Sequence, residues 1–167
     1  MDIDAKMYKK TIVCQGVSYG LNEEDIVFTS DYGHPSGLKR ECVLELFELS
    51  NLFICPSLAE SFGLTVLEAA SRGNFIVLNE AVPALQEVGK TLGAYFMRWD
   101  ARNFFAMTTE TYHPNEEEYY KFHALEIIKR MENDSVIKAK TLSRIRYSPS
   151  WVYNNQLKPL LYESNFK

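Results

Sequence analysis

With 167 residues, 46% of them hydrophobic, and a formal net charge of −4, the chain is long enough for one domain with a sizeable core and too short for two ordinary ones. Its Lys and Arg are spread among acids, which argues against the clustered basic surface that phosphate-backbone binding needs, so no nucleic-acid partner is expected. Three distant cysteines, Cys14, Cys42 and Cys55, read as free thiols in a reduced, cytoplasmic protein, with Cys42 and Cys55 in apolar patterns. His34, His113 and His123 are scattered, no Cys or His spacing suits a metal, and no segment has signal-peptide or membrane-spanning character.

In chain order, Met7, Thr11, Ile12 and Cys14 predict an amphipathic helix over 4–18 that breaks at Gly16 to Gly20. "DIVFTS", 25–30, is a short β-branched and aromatic run between turn signals and predicts a first strand. Ser36 then caps a helix over about 37–50, with Leu38, Cys42, Leu46 and Leu49 on its inner face. "NLFICPS", 51–57, predicts a strand buried on both sides, followed by a helix over 63–72 closed by Gly73. Next come strand 75–79, a helix around 83–89 and strand 93–99.

Strands alternating with helices over short connections predict an α/β domain with a doubly wound parallel sheet. The loops at 30–37, 57–63 and 79–83 then share the carboxyl edge, where such sheets bind ligands. Beyond 108–118, a linker candidate in which Pro114 and Asn115 equally suit the cap of the next helix, Phe122, Leu125, Ile128 and Met131, then Ala139, Leu142 and Ile145, predict two packed helices joined at "ENDS". "SPSW" introduces a last helical segment, so the chain ends in a helical tail.

The chemistry is concentrated in "CPSLAESFGLTVLEAASRG", 55–73, where Glu60 and Glu68 bracket a Phe-Gly turn between a strand and a helix. A helix's first turn offers unpaired N–H groups and the positive end of the macrodipole, and Gly63 lets that backbone approach a diphosphate. Glu68, four residues after Leu64, lies about 6 Å further along the helix, a distance suited to a ribose. Glu60 lies on the other side, where a sugar attached to the phosphates would sit. Taken singly, each glutamate is better explained as a helix-start acid or a surface residue; their combination with Pro56, Ser57, Phe62 and Gly63 favours a donor site.

This stretch resembles the signature of the retaining GT-B glycosyltransferases (glycosyl transferases group 1), which include glycogen synthase, sucrose synthase and bacterial mannosyltransferases. Weaker likenesses are "IVFTSDY", "LELFELSNLFICPS", "PALQEVG" and "SPSW". The resemblance implies the Rossmann-like donor half of a GT-B fold over residues 1–167 as a single truncated domain. It implies that Glu60 is the catalytic residue orienting the donor sugar. Ser61, Phe62, Gly63, Leu64 and Thr65 would hold the diphosphate, and Glu68 the ribose. No metal or cofactor is implied, only a nucleotide-diphosphate sugar, with transfer to an acceptor at retained configuration. An amino-terminal acceptor-binding domain has no counterpart in the sequence, so the chain is expected to be an inactive part of a longer enzyme involved in carbohydrate biosynthesis, one whose full length is compatible with peripheral membrane association.

Departures are Ser61 for a favoured Gly, Phe75 for a usual Pro, and the lack of the phosphate-neutralising Arg and Lys after a Gly-rich loop. Lys6, Lys9 and Lys10 fall on the wrong side of the corresponding helix. The rival readings are a non-catalytic nucleotide-sugar module and a receiver-like interaction domain with Asp31 as acceptor; "FIVLNE" lacks the acidic and lysine positions the latter needs.

Overall fold

A computed structural model describes residues 3–32, 37–99 and 115–163. The chain divides into two compact units, residues 1–40 and 41–167.

In the first unit α1 spans Ile3–Ser18 and is followed by 3-10 turns at Glu23–Asp25 and Thr29–Tyr32. Its inward side is formed by Lys9, Ile12, Val13 and Gly16, while Met7, Thr11 and Cys14 are exposed. Gly16 has no side chain to keep Ile26 away, and Lys9 pairs with Asp31 while lying 5.1 Å over the Phe28 ring. The strand expected over 25–30 does not form. The Asp25 carboxylate accepts from the backbone and side-chain nitrogens of Asn22 at 2.9 and 3.0 Å, closing a turn where the strand was to begin. Ile26 is extended, but β-propensity creates no ladder without a partner strand.

The second unit opens with α2, Arg40–Leu49, all of which but Arg40 belongs to it and which forms within the range expected; Ser36 lies outside the described residues. Its inner face is Val43, Leu44 and Phe47 rather than Cys42, Leu46 and Leu49, the last of which is 85% exposed. Phe47 meets Phe53 edge-on with ring centroids 5.4 Å apart, and Glu48 pairs with Arg72. That contact fixes which side of the helix turns inward.

Three parallel strands follow: β1 (Leu52–Cys55), β2 (Phe75–Asn79) and β3 (Tyr95–Met97), in sheet order β1-β2-β3. The register sets Leu52 opposite Phe75 and Val77 opposite Tyr95. Helices α3 (Leu64–Arg72) and α4 (Pro83–Leu92) make the two crossovers and end on left-handed Gly73 and Gly93. Strand alternation sends Ile76, Leu78 and Phe96 to one face, against Val66, Ala69 and Ala70 of α3 and Leu85, Val88 and Leu92 of α4. Each of the fully buried Val, Leu and Ile side chains contributes about 1.5–3 kcal/mol. Gly89 admits α4 to this face: a Cβ there would stand 2.6 Å from both Leu78 and Phe96. Helix α6 (Ile137–Arg146) completes the layer through Ala139 and Leu142, while Ile145 is exposed.

Phe75, Val77, Tyr95 and Met97 point to the other face, covered by α5 (Glu116–Asn133). Asn115 caps α5 by accepting from the Glu118 N–H, so residues 116–118 of the expected linker 108–118 are instead the first turn of the helix; residues 108–114 lie outside the described residues. The packed side of α5 is Tyr119, His123, Ile127 and Met131. Phe122, Leu125 and Ile128, expected to pack with Met131, are instead 59, 60 and 55% exposed. The chain closes on α7 (Pro149–Val152), capped by Ser148, then a π-helical turn Tyr153–Leu157 and α8 (Lys158–Glu163). The second unit is therefore α/β, with a three-stranded parallel sheet between helices on both faces.

Two asparagines bracket the wholly buried β2. At its amino end Asn74 donates to the carbonyls of Phe47 (2.8 Å) and Ala69 (3.1 Å), and at its carboxyl end stands Asn79.

Candidate functional site

The carboxyl edge of the sheet is where the strand-to-helix loops 56–63 and 80–82 leave, so two of the three loops expected there share it. The third, 30–37, belongs to the other unit and follows no strand; His34 lies outside the described residues.

Gly63 opens α3. Its φ of 81° and ψ of 48° place it in the left-handed region, and its carbonyl accepts from Val66 (3.0 Å) and Leu67 (3.3 Å). A Cβ would stand 3.2 Å from Leu85 and 3.3 Å from Val66, so this buried position suits glycine for both conformation and space. The amides of Leu64 and Thr65 follow in the first turn, where no preceding helical carbonyl can take them. Both side chains are exposed, Leu64 by 67%, so the start of α3 is open to a ligand.

Glu60 is half-buried in the loop, and its Oε1 accepts from the N–H of Ser61 at 3.2 Å. Ser61 itself is exposed. Phe62, although an aromatic at a helix entry usually packs inward, is 44% exposed and rests edge-on against Tyr147 with ring centroids 6.1 Å apart. Glu68 is half-buried on the ridge of α3 opposite Val66, Ala69 and Ala70, one turn beyond Leu64, and its carbonyl accepts from Ser71 Oγ at 2.7 Å. Six of the seven residues named from the sequence thus cluster at the start of α3, and Glu68 follows along the same helix. Glu87 is exposed on α4.

Asn79 was missed by the sequence reading. It is fully buried, its Nδ2 donates to the Ser57 carbonyl at 2.9 Å, and its Oδ1 accepts from the amides of Ala81 at 3.0 Å and Trp99 at 3.1 Å. The signal was present: one polar residue closes an otherwise apolar strand, "FIVLN".

His123, which the sequence left without a partner, has its Nδ1 2.6 Å from the Tyr95 hydroxyl between α5 and the sheet. Burial holds its pKa below the ordinary imidazole value, with the Glu80 carboxylate pulling the other way. Tyr119 packs against the layer of Phe75, Val77, Tyr95 and Met97, and its hydroxyl accepts from the Arg98 amide at 2.8 Å. Its neighbour Tyr120 is exposed, and Tyr112 and His113 lie outside the described residues. Among the described residues there is no group of three or more His, Cys, Asp or Glu side chains placed to hold a metal ion. No helix among them is long and apolar enough to cross a membrane. Cys42 is exposed, contrary to its apolar pattern, because α2 turns Phe47 inward instead. Compared with protein-family models, with curated proteins and with solved structures, the chain matches none.

Proposed function

We propose that this chain is the donor-binding part of a retaining, metal-independent glycosyltransferase with a Rossmann-like core of the GT-B kind, taking a hexose from a nucleotide-diphosphate sugar in the cytoplasm. The observation that carries the reading is the left-handed Gly63 opening α3 at the carboxyl edge of a parallel sheet, with Glu60 before it and Glu68 beyond it. In this reading the amides of Leu64 and Thr65, with the helix dipole, hold the diphosphate and stabilise it as it departs. Ser61 and Phe62 shape the approach to it. Glu68 accepts from the ribose hydroxyls, and Glu60 exchanges its bond to the Ser61 amide for the donor sugar. The partners of this unit are the nucleotide-sugar donor and an amino-terminal domain that brings the acceptor.

The test is titration calorimetry of the chain and of Glu68→Ala against UDP-, GDP- and ADP-linked hexoses. One nucleotide class should bind and be lost in the variant; equal affinity in both proteins for every donor overturns the assignment of Glu68. One observation favours the second reading, a non-catalytic nucleotide-sugar module: the Glu60 carboxylate is engaged by its own loop. That reading requires donor binding with no release of sugar from the nucleotide in an assay containing acceptor and the complementary domain.

A further inference from the structure

We infer that Asn79 is the positioning residue of the loop carrying Glu60, holding that loop to the sheet and to the end of β3. Its effect on donor binding rests on the function proposed above; its effect on the loop does not.

Asn79 ends a strand whose other members, Phe75, Ile76, Val77 and Leu78, are apolar and buried. A carboxamide there is costly unless it is bonded, and both of its polar atoms are: Nδ2 to the Ser57 carbonyl, Oδ1 to the amides of Ala81 and Trp99. The amide orientation is unambiguous, because two of the partners can only donate and the third can only accept. These partners belong to three different segments leaving the sheet: the loop after β1, the loop after β2 and the chain after β3. One side chain therefore joins three strand ends.

The loop from Ser57 to Gly63 is held at both ends by different means. Ser57 is bonded to Asn79, and Gly63 fits against Leu85 and Val66 with no room to spare. Glu60 lies midway between these anchors. Releasing Ser57 would leave the carboxylate with one fixed neighbour in place of two, so the amide of Asn79 sets where Glu60 is presented without touching a ligand itself.

Substitution separates the two halves of the amide. In Asn79→Asp the ionised carboxylate still accepts from Ala81 and Trp99 but has no proton for the Ser57 carbonyl, whereas Asn79→Ala loses all three bonds. Backbone nitrogen relaxation of the whole chain, read residue by residue by NMR without nucleotide, is the deciding experiment, with hydrogen exchange of the Ala81 and Trp99 amides beside it. Asn79→Asp should lower the order parameters over Ser57–Gly63 while Ala81 and Trp99 stay protected. Order in the loop should return as the pH is lowered and the carboxyl regains a donating proton. Asn79→Ala should loosen the loop and expose both amides to exchange; if it does not fold, Asn79→Thr, whose hydroxyl is too short to reach Ser57, reads the same loop. Loop order as in the wild type in Asn79→Asp, or unchanged by pH, overturns the inference. Calorimetry then tests the link to function: Asn79→Asp should bind the donor about tenfold more weakly. Failure of the wild type to bind any nucleotide sugar counts against the donor reading and leaves the loop result standing.

Discussion

The Tyr95 hydroxyl and His123 Nδ1, 2.6 Å apart, join β3 to α5 through a polar contact set in an apolar layer. Tyr119 stacks edge-on to the same imidazole at 4.3 Å, and the Arg130 guanidinium lies 5.1 Å over the Tyr95 ring. In the neutral imidazole with its proton on Nε2, the phenol donates and Nδ1 accepts; with the proton on Nδ1 the direction reverses.

This contact makes the docking of α5 sensitive to acid. Burial depresses the folded pKa of His123, Glu80 opposes that shift, and the unfolded value is about 6.5. A depressed folded value means the stabilising contribution is complete above the unfolded pKa and is lost as the pH falls through the folded one. Urea midpoints measured from about pH 8 to about pH 5 should drop more steeply for the wild type than for His123→Gln. Parallel curves would remove His123 from the acid response.

At the alkaline end Tyr95 plays the corresponding part. Burial raises its pKa, Arg130 lowers it, and Glu126 and Tyr119 add to the rise. A raised folded value gives stability that is complete below the unfolded pKa of about 10 and lost as the pH climbs through the folded one. Ultraviolet titration should show a late tyrosine that is missing in Tyr95→Phe. The same variant, by leaving His123 Nδ1 without its partner, should lower stability by about 1 kcal/mol in denaturant unfolding at neutral pH.

Helix α5 can be tested side by side. Ile127→Ala removes a buried side chain from the layer under the sheet and should cost about 2–4 kcal/mol, whereas Leu125→Ala on the exposed side should stay within about 0.5 kcal/mol. Equal costs would mean that α5 packs by its other face.

Gly89→Ala should destabilise by about 1–3 kcal/mol, because the new methyl meets Leu78 and Phe96 at 2.6 Å inside a closed layer. Thermal unfolding measures it. Gly93→Ala provides a contrast: nothing stands within 4 Å of its Cβ position, so its cost comes from the φ of 75° alone, about 1 kcal/mol.

These contrasts explain which parts of the fold could be read from the sequence. Strand β2 coincides with its apolar run, Phe75–Asn79, and α3 lies between Gly63 and Gly73, because burial on both sides and left-handed glycines leave local marks. The face of α5 left no such mark. Its inward residues include Tyr119 and His123, whose polar tips disguise apolar bodies, while Phe122, Leu125 and Ile128 supply a more regular stripe on the outside. Strand 25–30 was misread for a different reason: its residues favour extension, but pairing depends on a neighbour that no local pattern specifies. At the candidate site the cluster from Glu60 to Thr65 followed from the strand-to-helix handover. The role of Asn79 did not, since Ser57 and Trp99 are brought to it only by the sheet.

Because the strands lie in the sheet in the order in which they occur along the chain, each new strand docks beside the one completed just before it. Growth from the ribosome can therefore lay down β1, β2 and β3 in sequence with short loop closures, and no pairing has to wait for a distant segment. Helices α5 and α6 come after the strands and seal opposite sides of a sheet already in register. A chain interrupted before α5 would hold the ordered strands but leave Phe75, Val77, Tyr95 and Met97 facing water, a species marked for chaperone capture rather than for accumulation.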